Sequence, residues 1–189
     1  MIDPAATEVI TKELSARERL IWAGTPQQGI IFRSSDAFLI PFSLLWCGFA
    51  VFWEAGVLKT TAPFFFKLFG IPFVLVGLYF VFGRFVVDAR QRVKTYYGIT
   101  NERAVIVSGL FQKRIKTLNL DSISDISLTE RPDRRGTITF GPTPSFFGSF
   151  GGWWPGMGQP VTPSFEMIEE AREVYTLLNQ TREGTLKNS

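Results

Sequence analysis

Along the chain, apolar and polar positions fall into blocks that each predict a different structure. Residues 1–36 are mostly polar and include Asp3, Glu8, Glu13 and Glu18. Residues 37–58 read AFLIPFSLLWCGFAVFWEAGVL, with Glu54 as the only charge, and residues 64–87 read FFFKLFGIPFVLVGLYFVFGRFVV, with Lys67 and Arg84 near the two ends. A helix of about 20 apolar residues spans ~30 Å of hydrocarbon, so both runs are expected to be transmembrane helices. Lys67 and Arg84 stand where long stems carry a charge out to the headgroups. The competing reading is a buried hairpin in a soluble helical core, but two such runs in tandem exceed what core helices need. The short link 59–63 makes the helices antiparallel neighbours. Pro41 and Pro72 lie near their helix starts, and membrane helices tolerate proline.

Beyond residue 87 the pattern switches to DARQRVK, a basic stretch holding Arg90, Arg92 and Lys94. Short runs rich in β-branched and aromatic residues follow at 96–100, 103–108, 113–120, 124–131 and 137–140, separated by turn-forming residues. Val105 with Val107, Ile126 with Leu128, and Ile138 with Phe140 alternate as the buried faces of strands do, which predicts an antiparallel meander. The alternation slips between Ile115 and Leu118, and a β-bulge would restore it. Residues 164–181 place Ile168, Ala171, Tyr175 and Leu178 at helical spacing, so a closing amphipathic helix packed on the sheet is expected. Upstream, Leu14, Leu20, Ile21 and Trp22 precede the break Gly24-Thr25-Pro26. Segment 12–33 is therefore read as a brief helix or a strand ending in a turn, with Trp22 docked on the later unit or at the membrane interface. The expected class is an α+β membrane protein. It comprises an N-terminal segment 1–36, a transmembrane hairpin 37–87, a small antiparallel β unit with a C-terminal helix over 95–182, and a tail 183–189.

Charge sets the expected orientation. Arg33 before the hairpin and Arg84, Arg90, Arg92 and Lys94 after it outweigh Lys59 and Lys67 around the link, so both termini are expected in the cytoplasm. No cleaved signal peptide is expected, because the first apolar run is too long and begins too late. Residues 141–163, GPTPSFFGSFGGWWPGMGQPVTP, carry no charge and too much glycine and proline for a regular element. Phe146, Phe147, Trp153 and Trp154 in that loop call for burial against the bilayer, another subunit or the domain itself. Arg90, Arg92, Lys94, Lys113, Arg114 and Lys116 are candidates for contact with anionic lipid or a partner, at about 1 kcal/mol per basic residue near an anionic surface. Topology bias and solvated strand edges account for the same residues equally well. Arg131, Arg134 and Arg135 form a further basic group.

Composition then narrows the chemistry. The 189 residues hold no histidine and one cysteine, Cys47, so imidazole-dependent nucleophiles, the common zinc sites and an internal disulfide are excluded. No catalytic, cofactor-binding or metal-binding residue is assigned. The glycine-rich loop lacks the lysine and the spacing of a phosphate cradle. A net charge of +3 gives no argument for nucleic acid. Glu54 is read as a carboxylate near the outer surface, within reach of water, and two helices alone do not enclose a conduction path. Asp121 and Asp125 fall in turns, where aspartate bonds its own backbone.

Four stretches, in order, resemble a known family. Glu18-Arg-Leu-Ile-Trp22-Ala-Gly24-Thr-Pro26 precedes the hairpin; Tyr97-Gly-Ile-Thr100-Asn-Glu-Arg103 runs on to Gly109; Leu120-Asp-Ser-Ile123-Ser-Asp125-Ile follows; and a pattern from Phe165 to Leu178 closes the unit. Together they resemble bacterial membrane proteins with a bacterial pleckstrin-homology-like domain. The resemblance implies a pleckstrin-homology-like β-barrel capped by a helix, in a multi-pass protein of the bacterial inner membrane. The expected function, favoured by the absence of histidine and of catalytic spacing, is a non-enzymatic, membrane-anchored interaction module that self-associates and binds a protein partner or anionic lipid. An accessory subunit of a membrane transporter or enzyme complex is the alternative. Phosphoinositide binding does not carry over, because the turn Asn101-Glu102-Arg103 is nearly neutral.

Overall fold

The computed structural model describes residues 3–32, 36–61, 63–110, 112–142 and 162–184. The chain opens with α1 (Pro4–Thr11), started by Asp3, whose carboxylate accepts the Ala5 N–H at 2.9 Å, and by proline in the first turn, where a missing N–H costs nothing. Strand β1 (Leu20–Gly24) follows, and the hairpin comes next. Its first arm is α2 (Asp36–Leu58). Its second runs through α3 (Phe64–Leu78), a π-helical turn Tyr79–Gly83 and α4 (Arg84–Val93), so that residues 64–93 form one continuous rod. Both arms are long and apolar enough to cross a membrane. The basic stretch after residue 87 forms the last turns of this helix.

The arms meet along a heptad. A Cβ on Gly77 would lie 2.9 Å from the Cys47 Cα, and one on Gly70 would collide with the Glu54 carboxylate. Gly70 and Gly77 thus form the face of α3 on which Cys47 and Glu54 of α2 rest, because only a missing side chain lets the backbones approach so closely. Glu54 is 8 % exposed, and its Oε2 has no hydrogen-bond partner among the described residues. It is packed into the helix contact, where the sequence led us to expect a carboxylate open to water.

Two sheets follow. The first has the order β1-β2-β3-β4, with β2 (Tyr96–Thr100), β3 (Arg103–Ser108) and β4 (Arg114–Asn119); the second has the order β5-β6-β7, with β5 (Ile126–Glu130), β6 (Gly136–Phe140) and β7 (Ser164–Ile168). All pairings are antiparallel. The last element is α5 (Ala171–Arg182). Between the sheets lies a core of Trp22, Tyr97, Ile99, Ile106, Leu120, Ile138 and Phe165, closed by Val174 and Leu178 of α5. Phe165 stacks on Tyr97 at 4.7 Å and on Trp22 at 5.9 Å. On the outer face of the first sheet, α1 sets Ile10 against Val105 and Val107.

The β-barrel implied by the resemblance is not closed among the described residues, because the 3-10 turn Leu120–Ser122 carries the chain out of β4 and into the second sheet. Segment 164–181 is not one helix. Ser164–Ile168 pairs with β6, and Met167 and Glu170 take positive φ values of 49°, so the helix begins only at Ala171. No bulge interrupts β4, whose six residues pair in register with β3; Ile115 instead points to the outer face beside Val107 and is 45 % exposed. Segment 12–33 contributes a strand, and Trp22 docks on the later unit.

Candidate interaction surface at the base of the hairpin

Because β1 pairs with β2 and the hairpin runs between them, both ends of the hairpin emerge from neighbouring strands of one sheet. Local contacts fasten that junction. Asp36 at the start of α2 faces Arg84 at the start of α4, at 3.0 Å. The Arg84 guanidinium also lies over the Phe85 ring at 4.5 Å, and Phe85 meets Phe32 edge-on at 5.7 Å. Two helical turns further on, Arg92 pairs with Asp88 and donates to the Gly29 carbonyl. Gly29 has a φ of +88°, a conformation that glycine adopts without strain. Gln27 then donates its N–H to the Met167 carbonyl at 2.9 Å, tying the same segment to the second sheet.

At the other end of the first sheet lies a buried charge cluster. Arg103 forks onto Glu18, Nε to Oε1 and Nη2 to Oε2, both at 2.7 Å. The fully buried Thr100 hydroxyl donates to Oε1 at 2.7 Å, and the Ser15 N–H donates to Oε2 at 3.1 Å. The hydrogen bond from Arg103, opposed by burial and helped by Ser15 and Thr100, lowers the Glu18 carboxyl to about 2. The Glu18 side chain is 1 % exposed, so the cluster is structural, and it explains why the stretches Glu18–Pro26 and Tyr97–Arg103 occur together.

The residues singled out from sequence separate into groups. Arg90 is exposed, whereas Arg92 is 5 % exposed and held within the fold by Asp88 and Gly29. Lys94 and Lys113 line an open cleft of about 290 Å³ with Val9, Tyr96 and Leu110; Lys113 pairs with Glu13, and Lys94 reaches the Leu110 carbonyl at 3.4 Å. Arg114 and Lys116 occupy the edge strand β4 opposite Ser108 and Ile106, on the face of the sheet that bears the core. Phe146, Phe147, Trp153 and Trp154 lie outside the described residues. The turn between β5 and β6 reaches the base of the hairpin, where Arg131 Nη2 donates to the Phe32 carbonyl at 3.4 Å. Sequence marked that turn as basic but could not place it, since Phe32 and Arg131 are separated by the whole hairpin.

A family model, the bacterial PH domain, matches residues 41–182, from within α2 through the end of α5. The chain belongs to the bacterial PH-domain family. Such domains are generally non-catalytic interaction modules. In this bacterial PH domain the matched region starts after β1, so the strand that completes the first sheet lies outside the match. No curated protein and no solved structure matches the chain.

Proposed function

We propose that this bacterial PH domain is a non-enzymatic interaction module anchored in the inner membrane by its hairpin, with both termini cytoplasmic. The observation that carries the reading is the insertion of two solvent-facing apolar helices between paired strands. Only 22 % and 11 % of their apolar stretches are buried, whereas a core helix of a soluble protein is mostly covered. Phe52 and Phe64 are 79 % and 76 % exposed, a surface that water does not favour and hydrocarbon does. With the helices in a bilayer, the two strands hold the domain against the leaflet, and Arg84 and Arg90 stand on the side that a positive-inside bias makes cytoplasmic. Self-association and binding of a protein partner or anionic lipid complete the proposal, with Arg90, Lys94, Arg114 and Lys116 as the exposed or half-exposed basic residues available. Alkaline carbonate extraction and thiol labelling test the anchoring. The chain should stay with the membrane, and a cysteine at Thr60, introduced with Cys47→Ser, should label from outside the cell. Extraction of the chain, or labelling of Thr60→Cys only after lysis, overturns the reading.

A further inference from the structure

We infer that the turn joining β5 to β6 contacts the anionic phosphates of lipid headgroups at the base of the hairpin, with Arg131 and Arg134 as the binding residues. This rests on the membrane-anchored reading above and adds to it the ligand and the residues that take it.

Position is the first argument. The long hydrogen bond from Arg131 to the Phe32 carbonyl, at 3.4 Å, sets the turn beside the last described residue before α2. The Phe32 ring packs against Phe85, next to Arg84, where the apolar part of the second arm ends. In a bilayer that level is the headgroup layer.

Charge is the second. Arg131 and Arg134 are exposed and have no acidic partner among the described residues, whereas Arg135 pairs with Glu169 at 3.2 Å and Arg172 with Glu130 at 2.7 Å. The carboxylate within the turn, Asp133, accepts the Arg135 N–H at 3.2 Å. No described carboxylate neutralises either guanidinium, so the Arg134 donors and those that Arg131 does not spend on the Phe32 carbonyl are left to outside anions, and their planar forks match phosphate oxygens.

Backbone shape is the third. Arg134 has a φ of 65°, uncommon for a residue with a long side chain. Its N–H donates to the Arg131 carbonyl, and its carbonyl accepts from the Ala171 N–H, each at 3.1 Å. Main-chain bonds therefore hold the turn, and neither guanidinium is needed to shape it. Beside the turn, Ile30 and Phe32 are 63 % and 62 % exposed. Apolar side chains next to unpaired cations fit the boundary between acyl chains and anionic headgroups.

The test uses the full chain reconstituted into vesicles of phosphatidylcholine, alone or mixed with phosphatidylglycerol. Amide hydrogen exchange is read at turn 131–135 and at the remote turn 100–103. Phosphatidylglycerol should slow exchange at 131–135 by about fivefold, the factor that one basic residue near an anionic leaflet supplies, and should leave 100–103 unchanged. Added salt and the double variant R131Q/R134Q should each abolish the difference. Equal exchange in the two lipids, or protection that survives in the double variant, overturns the inference. Equal protection by inorganic phosphate over phosphatidylcholine vesicles also overturns it, in favour of a soluble anion. Carbonate extraction of the same wild-type chain separates the two readings: a chain that resists extraction while its turn ignores phosphatidylglycerol removes this inference and leaves the anchoring intact.

Discussion

Glu18 and Arg103, 85 positions apart and on opposite sides of the hairpin in sequence, close a two-pronged ion pair in which the carboxylate also accepts from Thr100 and Ser15. The pair joins the segment before the membrane helices to the sheet after them. Removing one partner leaves the other charge buried, so Arg103→Ala should destabilise the domain by about 3 kcal/mol, measured as a shift of the denaturant midpoint in detergent. A midpoint within error of wild type would count against a structural role.

The same pair gives acid sensitivity with a defined sign. Glu18 titrates at about 2 in the folded chain against an ordinary 4.5, so the unfolded state takes up protons first as pH falls. Its contribution is complete above pH 4.5 and is lost as pH drops toward 2. Allowing for the solvent that reaches Arg103, this amounts to about 2 kcal/mol. Acid unfolding of Glu18→Gln should lack that part of the pH dependence, and identical slopes for the two proteins would refute the assignment.

Gly77 sets the separation of the two hairpin arms. With a Cβ only 2.9 Å from the Cys47 backbone, Gly77→Leu has to push the helices apart. Cys47 is half-buried in the wild type, so a membrane-permeant maleimide should label it several times faster in the variant. An unchanged rate would show that the arms do not meet at this point.

On the far side of the first sheet, Gly98 admits Ile10, whose Cγ2 would lie 2.6 Å from a Cβ placed there. Gly98→Val should lift α1 from the sheet at a cost of about 1 to 3 kcal/mol. Amide exchange in residues 4–11 should rise ahead of exchange in the strands. Retained protection in α1 would mean that Ile10 shifts without loss of contact.

Much of this architecture was legible because it rests on local periodicity. An unbroken apolar run has few fates other than a membrane-length helix, and alternation at Val105 and Val107 leaves one side of a strand on each face. What escaped depends on partners distant in sequence. Ser164–Ile168 continues the helical spacing of Ala171 and Leu178, and only its pairing with β6 makes it a strand. Arg90 and Arg92 are indistinguishable in a basic stretch, yet a helical rotation of about 200° between them leaves one exposed and turns the other onto Asp88 and Gly29. Of the candidate contacts, Lys94 and Lys113 are brought to one cleft, while Arg114 and Lys116 lie on the other face of their strand, because side chains alternate along β4.

The amino-acid sequence by itself determined the two apolar helices, the β-rich unit that follows them and the absence of imidazole chemistry, since each depends on residue type and short-range spacing. Tertiary structure alone decided that β1 belongs to the sheet beyond the hairpin, that the described strands form two sheets and no closed barrel, and that the Arg131 turn stands beside Phe32. These are matters of which distant segments exclude water from one another, and burial is a property of the assembled core that no local stretch of chain contains.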